Sequence, residues 1–168
     1  MKKIYWRFYK DFQSRVQFFG NTIGQQHVEN LSNWSAALEP APVNVEKSWD
    51  LTFDALNCFK FHLYKYDLEF EIIYLPYQET ISEVQKKLRF QTYKLEIADN
   101  LLNWGGPAEK IKHWAGQQNI LFHDLSNYFR SSKNTDKIYF DLDGHLTAFG
   151  HDLLLQYVKK HILQKKSS

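Results

Sequence analysis

Residues 139–151 read YFDLDGHLTAFGH, and they place an acid and a histidine two positions apart. Histidine titrates near neutral pH, so His145 is a candidate for taking up and returning a proton. An acid beside it, here Asp143, can fix the tautomer of the ring and stabilise its protonated form. Gly144 lets the backbone turn tightly between the two, and Thr147 is a suitable N-cap. The stretch therefore predicts a polar loop that leads into a final helix.

Two runs of strand-forming residues precede this loop. The run FEIIYL occupies residues 70–75 and stops at Pro76, and the run NILFHDL occupies residues 119–125. Both fit short buried strands. In a parallel sheet, ligands bind at the carboxyl ends of the strands. The turn after Pro76 and the loop that carries His145 are therefore expected at the same edge of one sheet.

Apolar periodicity predicts helices between and after these strands. Ser48 is a suitable N-cap for the first of them, and Pro107 suits the first turn of a short later helix. The predicted helices are at residues 48–66, at residues 80–103, in a segment closed near Gly116, and from Thr147 onward. Helices that alternate with strands predict a parallel sheet with right-handed crossovers. Only two strands are evident, which is few for a stable sheet.

The residues HLTAFGHDLLLQYV, which follow Asp143, resemble the last conserved block of the SGNH (GDSL-type) hydrolases. The resemblance is to the branch in which Asp-x-His is followed by Leu-Thr or Trp-Asn and then by Gly-His. Residues 48–81 and 119–145 also resemble that family in their order and spacing, so the resemblance covers roughly residues 48–163. It implies an α/β fold with an incomplete three-layer, flavodoxin-like parallel sheet and flanking helices. The chain would be a single partial domain over residues 1–168, in which residues 1–47 form an aromatic helix, over residues 3–19, and an irregular segment.

The same resemblance implies a chemistry. His145 would take the proton from a nucleophilic serine, and Asp143 would hold its ring, so that an ester is hydrolysed or an acetyl group is transferred. The implied substrate is a small-molecule or carbohydrate ester, and no cofactor is implied.

The family's nucleophile is missing from this sequence. The chain has no Gly-Asp-Ser motif, and the early serines lack its context. The chain is therefore expected to be the C-terminal part of such an enzyme, to supply the Asp/His pair, to be inactive alone, and to act on an ester if an N-terminal segment completes it. One alternative is a non-catalytic binding or interaction protein that retains part of the fold. Another is an unrelated α/β protein in which DGHLT is a chance match.

Other polar residues allow further interpretations. Asp141 is a second candidate for the partner of His145, and His151 is expected to steady the loop through a hydrogen bond. A zinc site from the loop's own carboxylates and imidazoles is a further alternative: Asp141, Asp143, His145 and His151. His123 and Asp124 fit ordinary polarity at the end of a strand.

Composition excludes several classes. A formal net charge of +2, without a basic stripe, gives no support for a nucleic-acid partner. No apolar run approaches the length of a membrane span, and the sequence does not indicate a compartment. Cys58 is the single cysteine, so the chain has no internal disulfide, and it is expected to pack as a small apolar residue.

Overall fold

The computed structural model describes residues 34–93 and 101–164. The aromatic helix predicted at residues 3–19 lies outside these residues. The described chain is mixed α/β and mostly helical. Its elements are α1 (Val43–Tyr64), β1 (Ile72–Tyr74), α2 (Gln78–Ile81), α3 (Glu83–Thr92), α4 (Gly106–Gln117), β2 (Phe122–Asp124), α5 (Ser126–Arg130) and α6 (Ala148–Val158), with 3-10 turns at Ser35–Ala37 and Thr135–Lys137 and a π-helical turn at Lys159–Leu163.

The chain forms two compact units, each built from two separate stretches of sequence. Among the described residues, unit 1 holds residues 34–70, 93 and 101–120, and unit 2 holds residues 71–92 and 121–164. Unit 2 contains both strands and the Asp143–His145 loop. No helix in the described part of the chain is long and apolar enough to cross a bilayer.

Helix α1 dominates unit 1 and begins earlier than the sequence indicated. It starts at Val43 after Pro42, whose extended backbone forms the N-cap. Ser48 is inside the helix, where its hydroxyl donates to the Asn44 carbonyl at 2.8 Å, so the prediction of an N-cap at Ser48 is wrong. Cys58 is exposed on this helix, and the expectation that it packs inside is also wrong.

Aromatic stacking joins α1 to α4 within unit 1. The ring of Phe53 lies 5.6 Å from that of Trp49 and 5.5 Å from that of Trp114, and both pairs are stacked. Pro107 is in the first turn of α4, as predicted. The side-chain oxygen of Asn103 accepts from the backbone N–H groups of Gly105 and Gly106, which fixes where α4 begins.

The two strands of unit 2 form a parallel pair, in agreement with the sequence. Ile72 is opposite Phe122, and Tyr74 is opposite Asp124. Each strand has three residues and is shorter than its apolar run. The described residues therefore contain a two-stranded parallel sheet.

The helix predicted at residues 80–103 is divided. Ser82 has extended backbone angles (φ −132°, ψ 114°), which end α2 at Ile81. Its hydroxyl accepts from the N–H of Gln85 at 3.3 Å and so caps the start of α3. Residues 94–100 lie outside the described chain, and Leu102 forms an antiparallel bridge with Leu38. A single helix over the whole range is therefore wrong.

The core of unit 2 surrounds the segment that precedes the loop. Its fully buried side chains include Leu125, Phe129 and Ile138. An apolar face of α6 packs against this core through Phe149, Leu153, Leu154 and Tyr157. Helix α6 therefore anchors the end of the Asp143–His145 loop to the interior.

Thr147 caps α6, as predicted, and it joins three backbone groups. Its hydroxyl oxygen accepts from the N–H of Gly150 at 3.2 Å and lies 2.5 Å from the Lys137 carbonyl and 3.2 Å from the Ile138 carbonyl. Thr147→Ala should reduce the free energy of unfolding by about 1–2 kcal/mol, because it leaves these groups without the hydroxyl. Thr147→Ser keeps the hydroxyl and should lose much less. Urea unfolding followed by circular dichroism measures both, and equal losses would contradict the capping role.

Candidate functional site

A short antiparallel contact closes the loop that carries Asp143 and His145. Tyr139 and Leu146 form a β-bridge at its base. The N–H of Phe140 donates to the His145 carbonyl at 3.0 Å, and the N–H of Asp143 donates to the Phe140 carbonyl at 3.3 Å. The acid and the histidine are therefore carried on a closed and hydrogen-bonded turn.

The residue that makes this turn possible is Leu142. It has a left-handed backbone with φ of 58°, which is uncommon for a residue with a branched side chain. Gly144 does not adopt that conformation, and nothing occupies the space that a Cβ there would need. The expectation that Gly144 provides the tight turn is therefore wrong.

Asp143 and His145 form the predicted pair. Asp143 Oδ1 accepts from the backbone N–H of His145 at 3.0 Å and also hydrogen-bonds to His145 Nδ1. The side chain of His145 is 85% exposed, and that of Asp143 is 52% exposed. With Nδ1 donating to the carboxylate, Nε2 presents its lone pair to solvent. This is the tautomer that a general base needs.

The hydrogen bonds from His145 lower the pKa of Asp143, because both favour the charged carboxylate, with the side-chain bond first. Since the folded pKa lies below the unfolded value of about 3.9, the resulting stability is present above that value and is lost as the pH falls through the folded pKa. His145→Ala should raise the Asp143 midpoint part of the way back. Carbon-13 NMR of the carboxyl over roughly pH 2 to 6 measures it, and an unchanged midpoint would contradict the interpretation.

Asp141 does not share the histidine. Its Oδ1 accepts from Gln85 Nε2 at 2.6 Å, a bond to helix α3. The pairing of His145 is therefore with Asp143, two residues before it, and Asp141 holds the base of the loop to α3.

The turn after β1 lies beside the loop that carries His145, as expected for a parallel sheet. The hydroxyl of Tyr139 donates to the Pro76 carbonyl at 2.6 Å. Burial raises the pKa of this phenol, so it remains a donor. Helix α2 starts two residues after Pro76 and brings Gln78 and Glu79 under the loop.

A buried polar cluster supports the loop, and the sequence did not single it out. Arg89 Nη1 donates to Glu79 Oε1 at 2.7 Å, and the two side chains are 11% and 0% exposed. Arg89 Nη2 donates to the Leu142 carbonyl at 3.0 Å. The only signal in the sequence is a set of charged residues in short helices, which is typical of solvated surfaces.

His151 does not steady the loop. Its side chain is exposed and makes no hydrogen bond to the part of the chain that the structure describes; only its backbone N–H donates, to the Thr147 carbonyl at 2.9 Å. The predicted supporting bond is therefore wrong. Within residues 34–93 and 101–164, no three His, Cys, Asp or Glu side chains come together as a metal site would require.

A second histidine has partners that the sequence did not reveal. His123 Nε2 lies 2.8 Å from Glu71 Oε2, and its Nδ1 lies 3.4 Å from the hydroxyl of Tyr157 on α6. This half-buried set joins β2 and α6 to Glu71, the residue that precedes β1. Asp124 accepts from the N–H of Ser126 at 2.8 Å, so the expected strand-end polarity holds for Asp124, whereas His123 contacts both Glu71 and α6.

The ring of His145 makes no hydrogen bond to a serine, threonine or cysteine in the described residues; Asp143 is its one side-chain partner there. The described site is thus a hydrogen-bonded Asp143–His145 pair whose ring contacts no hydroxyl or thiol side chain in the described residues. Comparison with known proteins finds no matching family model, no matching characterised protein and no matching solved structure.

Proposed function

We propose that this chain supplies the acid–base pair of an SGNH (GDSL-type) ester hydrolase or acetyl-transferring enzyme, of which it is the C-terminal part. The observation that carries the proposal is the bond between His145 Nδ1 and Asp143 Oδ1, with the other ring nitrogen open to solvent. The resemblance of residues 48–163 to that family in the order of their motifs supports it. The two strands of unit 2 then belong to a larger flavodoxin-like three-layer sheet, whose remaining strands another segment provides.

In the proposed reaction, His145 Nε2 takes the proton of a serine hydroxyl from that other segment. The serine oxygen attacks the ester carbonyl, and the alcohol leaves with the proton from His145, which forms an acyl-enzyme. Water or a sugar hydroxyl then gives its proton to His145 as it attacks the acyl group. The bond between the acyl group and the serine oxygen breaks, and that oxygen takes the proton back from His145, which releases the product and restores the serine. Asp143 stabilises the imidazolium that exists between these transfers and keeps Nδ1 protonated.

The proposed substrate is an acetyl ester of a carbohydrate. This rests on the resemblance to the branch with Asp-x-His followed by Leu-Thr. The position of the loop beside the Pro76 turn, at the carboxyl end of the strands, is where an α/β sheet binds its ligand.

The test begins with the DNA directly upstream of the Met1 codon, read in all three frames. A strand pattern followed by Gly-Asp-Ser is expected there. The product of the joined reading frames should hydrolyse an acetyl ester such as p-nitrophenyl acetate, and His145→Ala should abolish that activity while His151→Ala retains it. If no such motif appears, or if the joined protein hydrolyses no ester, the hydrolase proposal fails for this gene product.

A binding role is the second candidate, and the open edge of β1 favours it. Ile72 donates to Leu121, and Tyr74 accepts from Leu125, so by alternation the backbone groups of Ile73 point to the opposite edge. No strand in the described residues pairs there. Unpaired strand edges bind extended peptides. A stable monomer without an upstream Gly-Asp-Ser motif would favour this role over catalysis.

A further inference from the structure

We infer that Arg89 is a positioning residue, which holds the loop so that the Asp143 carboxylate meets His145. The inference deepens the proposed function and rests on it for its meaning in catalysis. The physical claim about the loop stands on the contacts of Arg89 alone.

Arg89 is fixed before it reaches the loop. It lies on α3, and its guanidinium is held by the Glu79 carboxylate of α2 at 2.7 Å, with both side chains almost wholly buried. An ion pair in a low-dielectric site keeps a long side chain in one geometry far better than an exposed pair does. The other N–H groups of the Arg89 guanidinium therefore point in fixed directions.

Those donors reach two adjacent carbonyls of the loop. Nη2 donates directly to the Leu142 carbonyl at 3.0 Å. With its amide assigned by its hydrogen-bond partners, Gln78 accepts from Arg89 Nε at 3.2 Å and donates to the Asp143 carbonyl at 2.8 Å. Arg89 thus holds the two peptide units that flank the Asp143 Cα, one directly and the other through Gln78.

Leu142, whose carbonyl accepts from Arg89, has a backbone conformation that needs stabilisation. Leu142 is in the left-handed region, which is unfavourable for a residue with a side chain because its Cβ comes too close to the following carbonyl oxygen. Such a conformation persists only where its surroundings impose it. The bond from Arg89 to the Leu142 carbonyl is a direct restraint, and the left-handed turn at Leu142 is what directs Asp143 toward His145.

Arginine suits this role and lysine does not. The planar guanidinium presents donors in fixed directions to acceptors on α2 and on the loop at once. An ammonium at the same place could pair with Glu79, but it could not also reach Leu142 and Gln78 in that geometry. Arg89→Lys therefore separates the charge of Arg89 from its positioning function.

The experiment follows the ring nitrogens of His145 by nitrogen-15 NMR in the chain as it exists, without any catalytic assay. In the parent protein, neutral His145 should be protonated on Nδ1, and exposed His151 gives an internal reference for an imidazole without a described side-chain partner. In Arg89→Lys, the His145 signals should move toward those of His151, and the Asp143 titration midpoint should rise. Lys87→Met, which removes an exposed cation from the same helix, should change neither signal.

Gln78→Met keeps the Arg89–Glu79 pair and removes only the bridge to Asp143, so it should shift the His145 signals in the same direction and by less. This variant decides the matter if Arg89→Lys fails to fold. Unchanged His145 tautomer and Asp143 midpoint in the folded variants would overturn the inference. Failure of ester hydrolysis in the joined protein would overturn the proposed function and leave this result as it stands.

Discussion

Replacement of Glu79 by alanine is expected to lower the free energy of unfolding by about 3–5 kcal/mol, because it leaves the Arg89 guanidinium buried without its carboxylate. The Glu79 side chain is wholly buried, and it accepts from Arg89 Nη1 at 2.7 Å. Water cannot compensate the lost bond at full strength in such a site. Loop 139–147 should also loosen, since Arg89 is the donor to the Leu142 carbonyl.

The measurement is urea unfolding followed by circular dichroism. Glu83→Ala is the matched control, because it removes an exposed carboxylate from the first turn of α3 and should cost less than about 1 kcal/mol. Glu79→Leu with Arg89→Met should be more stable than Glu79→Leu alone, since the double variant removes the buried guanidinium together with the carboxylate that it pairs with. Equal losses for Glu79→Ala and Glu83→Ala would contradict the argument.

Gly150→Ala is expected to cost about 3 kcal/mol or more, at the upper end of the range for overpacked sites. A Cβ at Gly150 would lie 2.2 Å from the Ile138 carbonyl oxygen and 3.0 Å from Leu146 Cδ2. The first contact is to backbone in the core of unit 2, so a side-chain rotation cannot relieve it. Either α6 shifts away from the core or the Thr147 cap opens.

The control for this prediction is Gly144→Ala, in the loop that precedes α6. Nothing lies within 4 Å of a Cβ at Gly144, and its backbone is outside the left-handed region. Gly144→Ala should therefore be close to neutral. Thermal unfolding by circular dichroism separates the two, and a Gly150→Ala protein as stable as the parent would show that the close approach to Ile138 is not rigid.

Local signals in the sequence predicted the elements that depend on local chemistry. The strands at residues 72–74 and 122–124, the Thr147 cap and the Asp143–His145 bond all follow from neighbours within a few positions. The predicted start of α1 at Ser48 was wrong because Pro42, an equally good signal for the start of a helix, precedes it. The break at Ser82 was missed because the apolar spacing continues across it.

The support of the loop could not be predicted, because its contacts join distant positions. Arg89 is ten residues from Glu79 and 53 from Leu142 in sequence. Gln85 is 56 residues from Asp141. A single sequence contains no pattern that indicates such distant pairs. Charged residues on a short helix are also more often at the surface. The same holds for His123 and Glu71, whose contact depends on the strand pairing itself.

The pairing of β1 with β2 also has a consequence for how the protein folds during synthesis. Ile72 pairs with Phe122, so β1 leaves the ribosome about 50 residues before its partner. At roughly 5–20 residues per second, that delay is about 3–10 s. Throughout that interval, the FEIIYL segment lacks β2, the strand with which it pairs in the structure, and such segments associate with one another when exposed. Changes that increase the β-propensity of residues 70–75 should therefore lower the soluble yield of the protein.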